Sequence, residues 1–222
     1  MKLVLLGPPG AGKGTLANLL KSSLNILHIS TGDILREEIK NNTTLGQEAK
    51  KYIDNGKLVP DELVTRLIKN KFAKDDRISK GYMLDGYPRT EQQAQDLDKI
   101  LKEEKKLLNY AIYLDSTLPV IIQRLGGRRI CRKCGAVFHI KNRPPKKEGV
   151  CDLCQGELYQ RPDDNKTTIE TRMKEYLTNT KPIIEYYKKQ GILVTVDSDE
   201  ESEDVQTILM KTFNENGKSH NH

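Results

Sequence analysis

Lys2-Leu3-Val4-Leu5-Leu6-Gly7-Pro8-Pro9-Gly10-Ala11-Gly12-Lys13-Gly14-Thr15 sets an apolar run against a glycine-rich turn, and a helical apolar face, Leu16-Ala17-Leu19-Leu20, follows at once. The turn fits the pattern G-x-x-x-x-G-K-[ST] at Gly7, Gly12 and Lys13, with Gly14 in place of the hydroxyl residue and Thr15 directly behind it. Glycines let successive backbone N–H groups converge on phosphate oxygens, the helix behind turns its positive end inward, and Lys13 adds a mobile charge. A nucleotide is therefore the ligand this stretch predicts. A plain Gly-Pro turn opening a helix would need neither the strand in front nor a lysine at this spacing.

The rest of the chain is compatible with that reading, since 222 residues can bury one sizeable core and carry small insertions. No apolar run approaches the ~20 residues that span a bilayer, and the N-terminus is a buried-strand pattern rather than a charged leader. A cytoplasmic, soluble protein without membrane contact is expected. The formal net charge of +6 would allow nucleic-acid binding, but the basic residues are dispersed among 31 acids and suit a small anionic ligand equally well.

Five short apolar runs, Leu3-Leu6, Ile26-Ile29, Tyr82-Leu84, Ala111-Leu114 and Ile192-Val196, alternate with stretches of helical periodicity. That alternation predicts an α/β fold with a parallel sheet flanked by helices. Thr90 is placed to cap a helix over Glu91-Lys106, and Thr117-Leu118-Pro119 to open one reaching Leu125. Residues 165–190 read as helix, with Pro182 expected to kink or break it, and the acids of 197–204 suit the N-terminus of a helix holding Val205, Ile208, Leu209 and Phe213. The tail Gly217-His222 should fray, and its two histidines do not read as a ligand pair. Residues 30–60, helical but polar, and 127–164, with two consecutive prolines and little regular pattern, look like insertions. Insertions at the C-terminal edge of a parallel sheet lie where ligands bind, so each is a candidate cover for the nucleotide.

All four cysteines fall in the second insertion as Cys131-x2-Cys134-x16-Cys151-x2-Cys154. Two such knuckles complete the closed tetrahedron of a structural Zn²⁺, which leaves no position for water and hence no chemistry at the metal. Disulfides are the competing reading and do not suit a reducing compartment. A zinc ribbon gripping nucleic acid is the other functional reading, but only Phe138 and, further on, Tyr159 offer rings for stacking.

Asp85-Gly86-Tyr87-Pro88-Arg89 ends the third apolar run: an acid at a strand tip can hold Mg²⁺ through water, and Arg89 can fork onto a phosphate. Arg36 follows the cap-like Ser30-Thr31-Gly32-Asp33, while Arg124, Arg128, Arg129, Arg161 and Arg172 flank the cysteine segment. Phosphoryl transfer between two nucleotides needs several fixed guanidinium groups and no covalent nucleophile. His28, in an apolar strand, reads as a core or strand-end residue.

Together, Gly7 to Thr15, Ser30 to Asp33 with Arg36, Asp85 to Arg89 with Gln93, Gly127-Arg128-Arg129 and Arg161-Pro162-Asp163-Asp164 resemble the adenylate kinases of the long-lid, zinc-containing bacterial type, over Met1 to about residue 215. The Gly14-Thr15 ending is this family's own. The resemblance implies a P-loop core with a five-stranded parallel sheet over 1–29, 61–126 and 165–222, a helical AMP-binding insertion over 30–60, a zinc-binding lid over 127–164, and a monomer. ATP contacts then fall on Gly10, Ala11, Gly12, Lys13, Gly14, Thr15, Arg124, Arg128, Val137, Phe138 and Glu200. AMP contacts fall on Thr31, Gly32, Arg36, Lys57, Leu58, Val59, Gly86, Tyr87, Pro88, Arg89, Gln93, Arg161 and Arg172, with Gly86 and Gln93 reading adenine. Lys13, Asp85, Arg89, Arg128, Arg161 and Arg172 form the implied catalytic set, with ATP, AMP and ADP as substrates, Mg²⁺ carried with ATP and Zn²⁺ on Cys131, Cys134, Cys151 and Cys154. A kinase for another nucleoside monophosphate is the nearer alternative, and an ATP-driven zinc-ribbon protein on nucleic acid the more distant one.

Overall fold

The computed structural model describes residues 1–218. Five strands, β1 (Lys2–Leu6), β2 (Leu27–Ser30), β3 (Tyr82–Asp85), β4 (Tyr110–Asp115) and β8 (Leu193–Asp197), form one sheet in the order β2-β3-β1-β4-β8. Every pairing is parallel, and the registers Leu5↔Asp85, Ser30↔Asp85 and Asp115↔Asp197 bring the C-terminal ends of the strands to one edge. After β1 the chain leaves for β2 on one side and later returns to β4 on the other, so the loop behind β1 opens at the switch point where such sheets bind ligands.

Alternation along β1 divides the core. Val4 and Leu6 join Ile29, Leu84 and Ala111 on one face, under α4 (Asp61–Lys74), α5 (Glu91–Glu103) and α8 (Pro182–Lys189), whose Ile68, Leu97 and Ile183 are fully buried. Leu3 and Leu5 join Met83, Ile112 and Leu114 on the other, under Leu16, Ala17 and Leu20 of α1 (Lys13–Leu24) and Val205, Leu209 and Phe213 of α9 (Ser202–Lys218). Each large apolar side chain among them contributes ~1.5–3 kcal/mol of burial, and a strand buried on both faces is why the run reads as continuously apolar.

Helix ends follow local chemistry. Thr90 accepts the Gln93 N–H as the expected cap of α5, but that helix stops at Glu103 because Lys105 turns left-handed (φ 53°) and Lys106 N bonds back to Leu101 O at 2.8 Å. The long helix expected over 165–190 is divided into α7 (Lys166–Glu175), a π turn at Tyr176–Thr180, and α8, with Pro182 in the first turn of α8, where its missing N–H costs nothing. Thr117 does precede α6 (Leu118–Gly127), with Pro119 in its first turn. Helix α9 carries Glu203 and Asp204 in its first turn and runs to Lys218; the rest of the tail, with His220 and His222, lies outside the described residues. Among the described residues no helix is long and apolar enough to cross a membrane.

The polar stretch after β2 is a helix pair, α2 (Thr31–Lys40) and α3 (Thr44–Ile53), whose Leu35 and Ala49 are buried in the core of the sheet. Residues 128–159, where the sequence shows little regularity, form a three-stranded antiparallel sheet: β5 (Arg128–Cys131) lies between β6 (Val137–His139) and β7 (Leu158–Tyr159). Strands of two to four residues are too short to leave a period-two signal. The buried cluster of that sheet is only Cys131, Phe138, Cys151 and Leu158.

Helices α2 and α3 meet at Gly46, where a Cβ would stand 2.2 Å from Glu38 O. Backbone cannot give way as a side-chain tip can. Gly46→Ala should therefore pry the pair apart and lower stability by about 2–3 kcal/mol, read as a shift in urea midpoint at constant slope; an unchanged midpoint would show that the pair does not pack this closely.

Candidate functional site

Glycine geometry builds the phosphate loop. Gly12, at φ 89°, caps α1 in the left-handed region, and a Cβ on Gly7 would lie 2.7 Å from Leu114 O, so the loop can hug the tip of β4 only without side chains. Helix α1 has neither a capping side chain nor an acid in its first turn, so its first N–H groups and its positive end face the loop. Lys13 folds over this hollow and donates from Nζ to the carbonyls of Gly7 at 2.7 Å and Pro8 at 2.8 Å. Burial lowers its pKa to about 8; Asp85 opposes this, while the charges of Arg89, Arg172 and Arg128 add to it.

Asp85 stands at the tip of β3. His28 Nε2 lies 3.4 Å from its Oδ2, in a contact the sequence does not reveal because it forms only when β2 lies beside β3, with His28 opposite Met83. Burial alone would raise the Asp85 pKa, but His28 and the Lys13 charge outweigh it and hold the carboxyl below its ordinary value. An ionised acid with a cation beside it is suited to orienting a hydrated Mg²⁺.

A pocket opens beside that tip. Thr31, Gly32, Arg36, Lys57, Leu58, Val59, Gly86, Arg89, Gln93 and Arg172 line it, together with Asp163. Thr31 donates to Gly86 O at 2.8 Å, and Arg89 Nε to the same carbonyl at 2.9 Å. Gln93 is buried and oriented: Oε1 accepts from Arg89 N at 2.8 Å and Nε2 donates to Asp61 Oδ1 at 2.8 Å, which leaves one N–H and one lone pair for a ligand edge. Arg89 keeps solvent on the open side of the pocket, yet desolvation by the cleft walls lowers its pKa to about 10, with the Arg172 charge as the second cause.

The guanidinium groups are held by acids. Arg128 donates through Nε to Asp164 Oδ2 at 2.7 Å, and Arg172 reaches Asp164 Oδ1 and Asp163 Oδ2 at 3.1 Å each, with the Asp164 side chain wholly buried. Arg36 pairs with Asp33 at 2.5 Å, and Arg161 approaches the same oxygen at 3.4 Å. Burial would raise Asp163, but Arg172, Arg161, Arg36 and Arg128 hold it below the usual carboxylate range. Desolvation lowers Arg161 to about 10, with the Arg36 charge next in weight. Asp33, Asp163 and Asp164 thus balance the cluster. Their motifs are legible in the sequence, while this role is not.

Other expected contacts are placed differently from the pocket-lining set. Tyr87 is fully buried in the core with its hydroxyl 3.0 Å from Thr65 Oγ1, and Pro88 is buried beside it, so both support the pocket wall from behind. Phe138 packs its ring inside the small sheet, on β6 beside Val137. Arg124 donates to the carbonyls of Ser198 at 2.5 Å and of Asp199 and Glu200 at 3.3 Å, with Gly12 nearby; Glu200 keeps an exposed side chain.

The four cysteines converge, all Sγ atoms lying within 4.8 Å of one another, with Cys131–Cys154 at 3.4 Å and Cys134–Cys151 at 3.6 Å. Sulfurs about 2.3 Å from a central ion would stand ~3.8 Å apart, so free thiols in this arrangement fit a tetrahedral thiolate site. Burial alone would raise the Cys131 thiol, but backbone N–H groups of Cys134 and Lys133 outweigh this and lower it, while at Cys134 the Ala136 N–H is outweighed by the neighbouring sulfurs, which push that thiol up, as expected of thiols crowded around one point.

Nearly the whole chain is similar to proteins of one family. The family model for adenylate kinase matches residues 5–192. The adenylate kinase of Caldicellulosiruptor saccharolyticus is 49% identical over 213 residues, covering 96% of this chain and 99% of the relative. That of Methanocella arvoryzae is 50% identical over 205 residues, 92% of this chain and 94% of the relative, and that of Clostridioides difficile 48% over 200 residues, 90% and 92%.

Lys13 yields a pH test. Burial lowers its pKa to about 8 against the pull of Asp85, and a bound triphosphate favours the charged form and raises it. Binding of Mg-ATP at pH 8 should thus take up roughly half a proton per chain, and at pH 6, where Lys13 is already charged, almost none. Calorimetry in two buffers of different ionisation enthalpy measures this. Lys13→Gln should abolish the uptake; uptake surviving in that variant would assign it elsewhere.

Proposed function

The chain belongs to the adenylate kinase family and is an ATP:AMP phosphotransferase, and on that premise we propose how its residues divide the work. ATP occupies the loop of Gly10 to Thr15, with Lys13 moving from its carbonyl partners onto the phosphates. AMP occupies the pocket of Thr31, Gly32, Arg36, Lys57 to Val59, Gly86, Arg89 and Gln93. The observation that carries this assignment is the convergence of that pocket, the loop and five guanidinium groups on one sheet edge. Arg36 and Arg89 hold the acceptor phosphate in line; Arg128, Arg161 and Arg172 release Asp33, Asp163 and Asp164 and neutralise the charge spread over the group in transit.

Adenylate kinases use Mg²⁺ with ATP; Asp85 would hold it through water, where the ion neutralises the phosphate oxygens. Residues 30–60 form the AMP-binding arm and 127–164 a lid, hinged on the P-loop core of 1–29, 61–126 and 165–222. Closure excludes water, an easier acceptor than AMP, which is the general role of the lid in adenylate kinases. Zn²⁺ on Cys131, Cys134, Cys151 and Cys154 orders the lid without entering the chemistry. The working unit is a cytoplasmic monomer that needs no nucleic acid.

Two outcomes test the reading. With Gln93 fixed at both ends of its amide, AMP should be used with a kcat/KM about 100-fold or more above that of UMP, because a base that leaves these groups unpaired is penalised. Comparable use of both in a coupled assay would remove Gln93 from base reading. Cys131→Ser with Cys134→Ser should lose the metal, about one ion per chain by atomic spectroscopy, and lower Tm by about 5–10 °C. Partial activity well below that temperature is expected; complete loss of chemistry in a folded variant would put the metal in the reaction.

A further inference from the structure

His139 closes β6 at the point where the small sheet leaves α6. Its backbone pairs with Arg128 across β5 and with Arg143 through His139 N to Arg143 O at 3.0 Å. Its ring is more constrained. Nδ1 accepts the N–H groups of Lys141 at 3.1 Å and Asn142 at 3.0 Å. A ring nitrogen that accepts two N–H donors carries no proton, so the imidazole is neutral with its proton on Nε2. Nε2 lies 3.1 Å from the Gln123 carbonyl in the last turns of α6 and donates to it.

The ring also fills the side-chain space of Gly127, the last residue of α6: a Cβ there would stand 2.1 Å from Nε2 and 2.4 Å from Cε1. Ile140 N adds a bond to Gly127 O at 2.9 Å. One side chain therefore clasps helix, junction and strand, immediately before Arg128.

We infer that His139 is a positioning residue for phosphoryl transfer: its neutral Nε2–H form fixes the junction at Gly127 so that Arg128 reaches the ATP phosphates at one angle. This rests on the reading of 127–164 as a lid that carries Arg128.

Three variants separate the parts. In His139→Gln the side-chain nitrogen takes the place of Nε2 and keeps the donor to Gln123. In His139→Asn the side-chain oxygen takes the place of Nδ1 and keeps the turn, but the tie to Gln123 is lost. Gly127→Ala leaves His139 in place and pushes its ring away. The expected result is an ATP KM raised about 5-fold in His139→Asn and Gly127→Ala, the scale of one net hydrogen bond, with the AMP KM and Tm unchanged and with His139→Gln close to the native value. Histidine-labelled protein at pH 7 should show the His139 ring by ¹⁵N NMR as the neutral Nε2–H tautomer, assigned by its loss in His139→Gln.

An Nδ1–H or cationic ring overturns the inference, as does an equal response of the Asn and Gln variants or a parallel rise of both KM values with a fall in Tm. Arg128→Ala distinguishes the two levels. A raised ATP KM there with none in His139→Asn overturns this inference alone; an unchanged ATP KM in Arg128→Ala overturns the lid reading and this inference with it.

Discussion

Positive charge held at close quarters is the constraint around which the molecule is arranged. Lys13, Arg89, Arg128, Arg161 and Arg172 each lose hydration to the surrounding protein and several lie in one another's field, as the lowered pKa values of Lys13, Arg89, Arg161 and Arg172 record. Without anions such a cluster would push its walls apart. The fold answers with Asp33, Asp163 and Asp164, which pair with the guanidinium groups; in the proposed reaction, phosphate oxygens take their place. The same acids orient Arg36, Arg128, Arg161 and Arg172, and backbone carbonyls orient Lys13 and Arg89, so an anion meets directed groups rather than mobile ones.

That arrangement demands a rigid base, and the parallel sheet provides it. Strand ends in register deliver Gly7, Ser30 and Asp85 to one edge with no adjustable turn between them. The segments proposed to move, 30–60 and 127–164, carry glycine at close junctions, Gly56 against α7 and Gly127 against His139. Gly56, at φ 68°, has the Thr168 carbonyl 2.9 Å from where its Cβ would be, so the arm reaches α7 only because that position is bare.

The sequence exposes features that are local in the chain. The phosphate loop, the two cysteine knuckles and the Thr90 cap each lie within a few residues, and a strand buried on both faces declares itself by composition. Features made by register or by folding back are hidden. The His28–Asp85 contact depends on β2 lying beside β3, the Arg128–Asp164 pair spans 36 positions, and His139 meets Gln123 only once β6 has turned back on α6. Tyr87 marks the converse limit: a motif places it in the site, while packing turns it into the core. The small sheet escapes reading because its order comes from sulfur geometry more than from apolar periodicity.

The two covers are joined to the body in different ways. Leu35, Ala49 and Val59 of the arm belong to the same buried cluster as Val4 and Leu84, whereas Cys131, Phe138, Cys151 and Leu158 form an island of their own. Local unfolding of the arm therefore exposes part of the central core and is coupled to global melting, while the cysteine-bound segment can lose its order as a separate cooperative unit. Amide hydrogens on the two sides of the cleft then exchange by different routes: those of α2 and α3 through openings that involve the sheet, those of β5 to β7 through an opening of that segment alone. With Zn²⁺ on the four cysteines as proposed, a chelator would act as a selective denaturant of one wall of the active site and leave the other wall native.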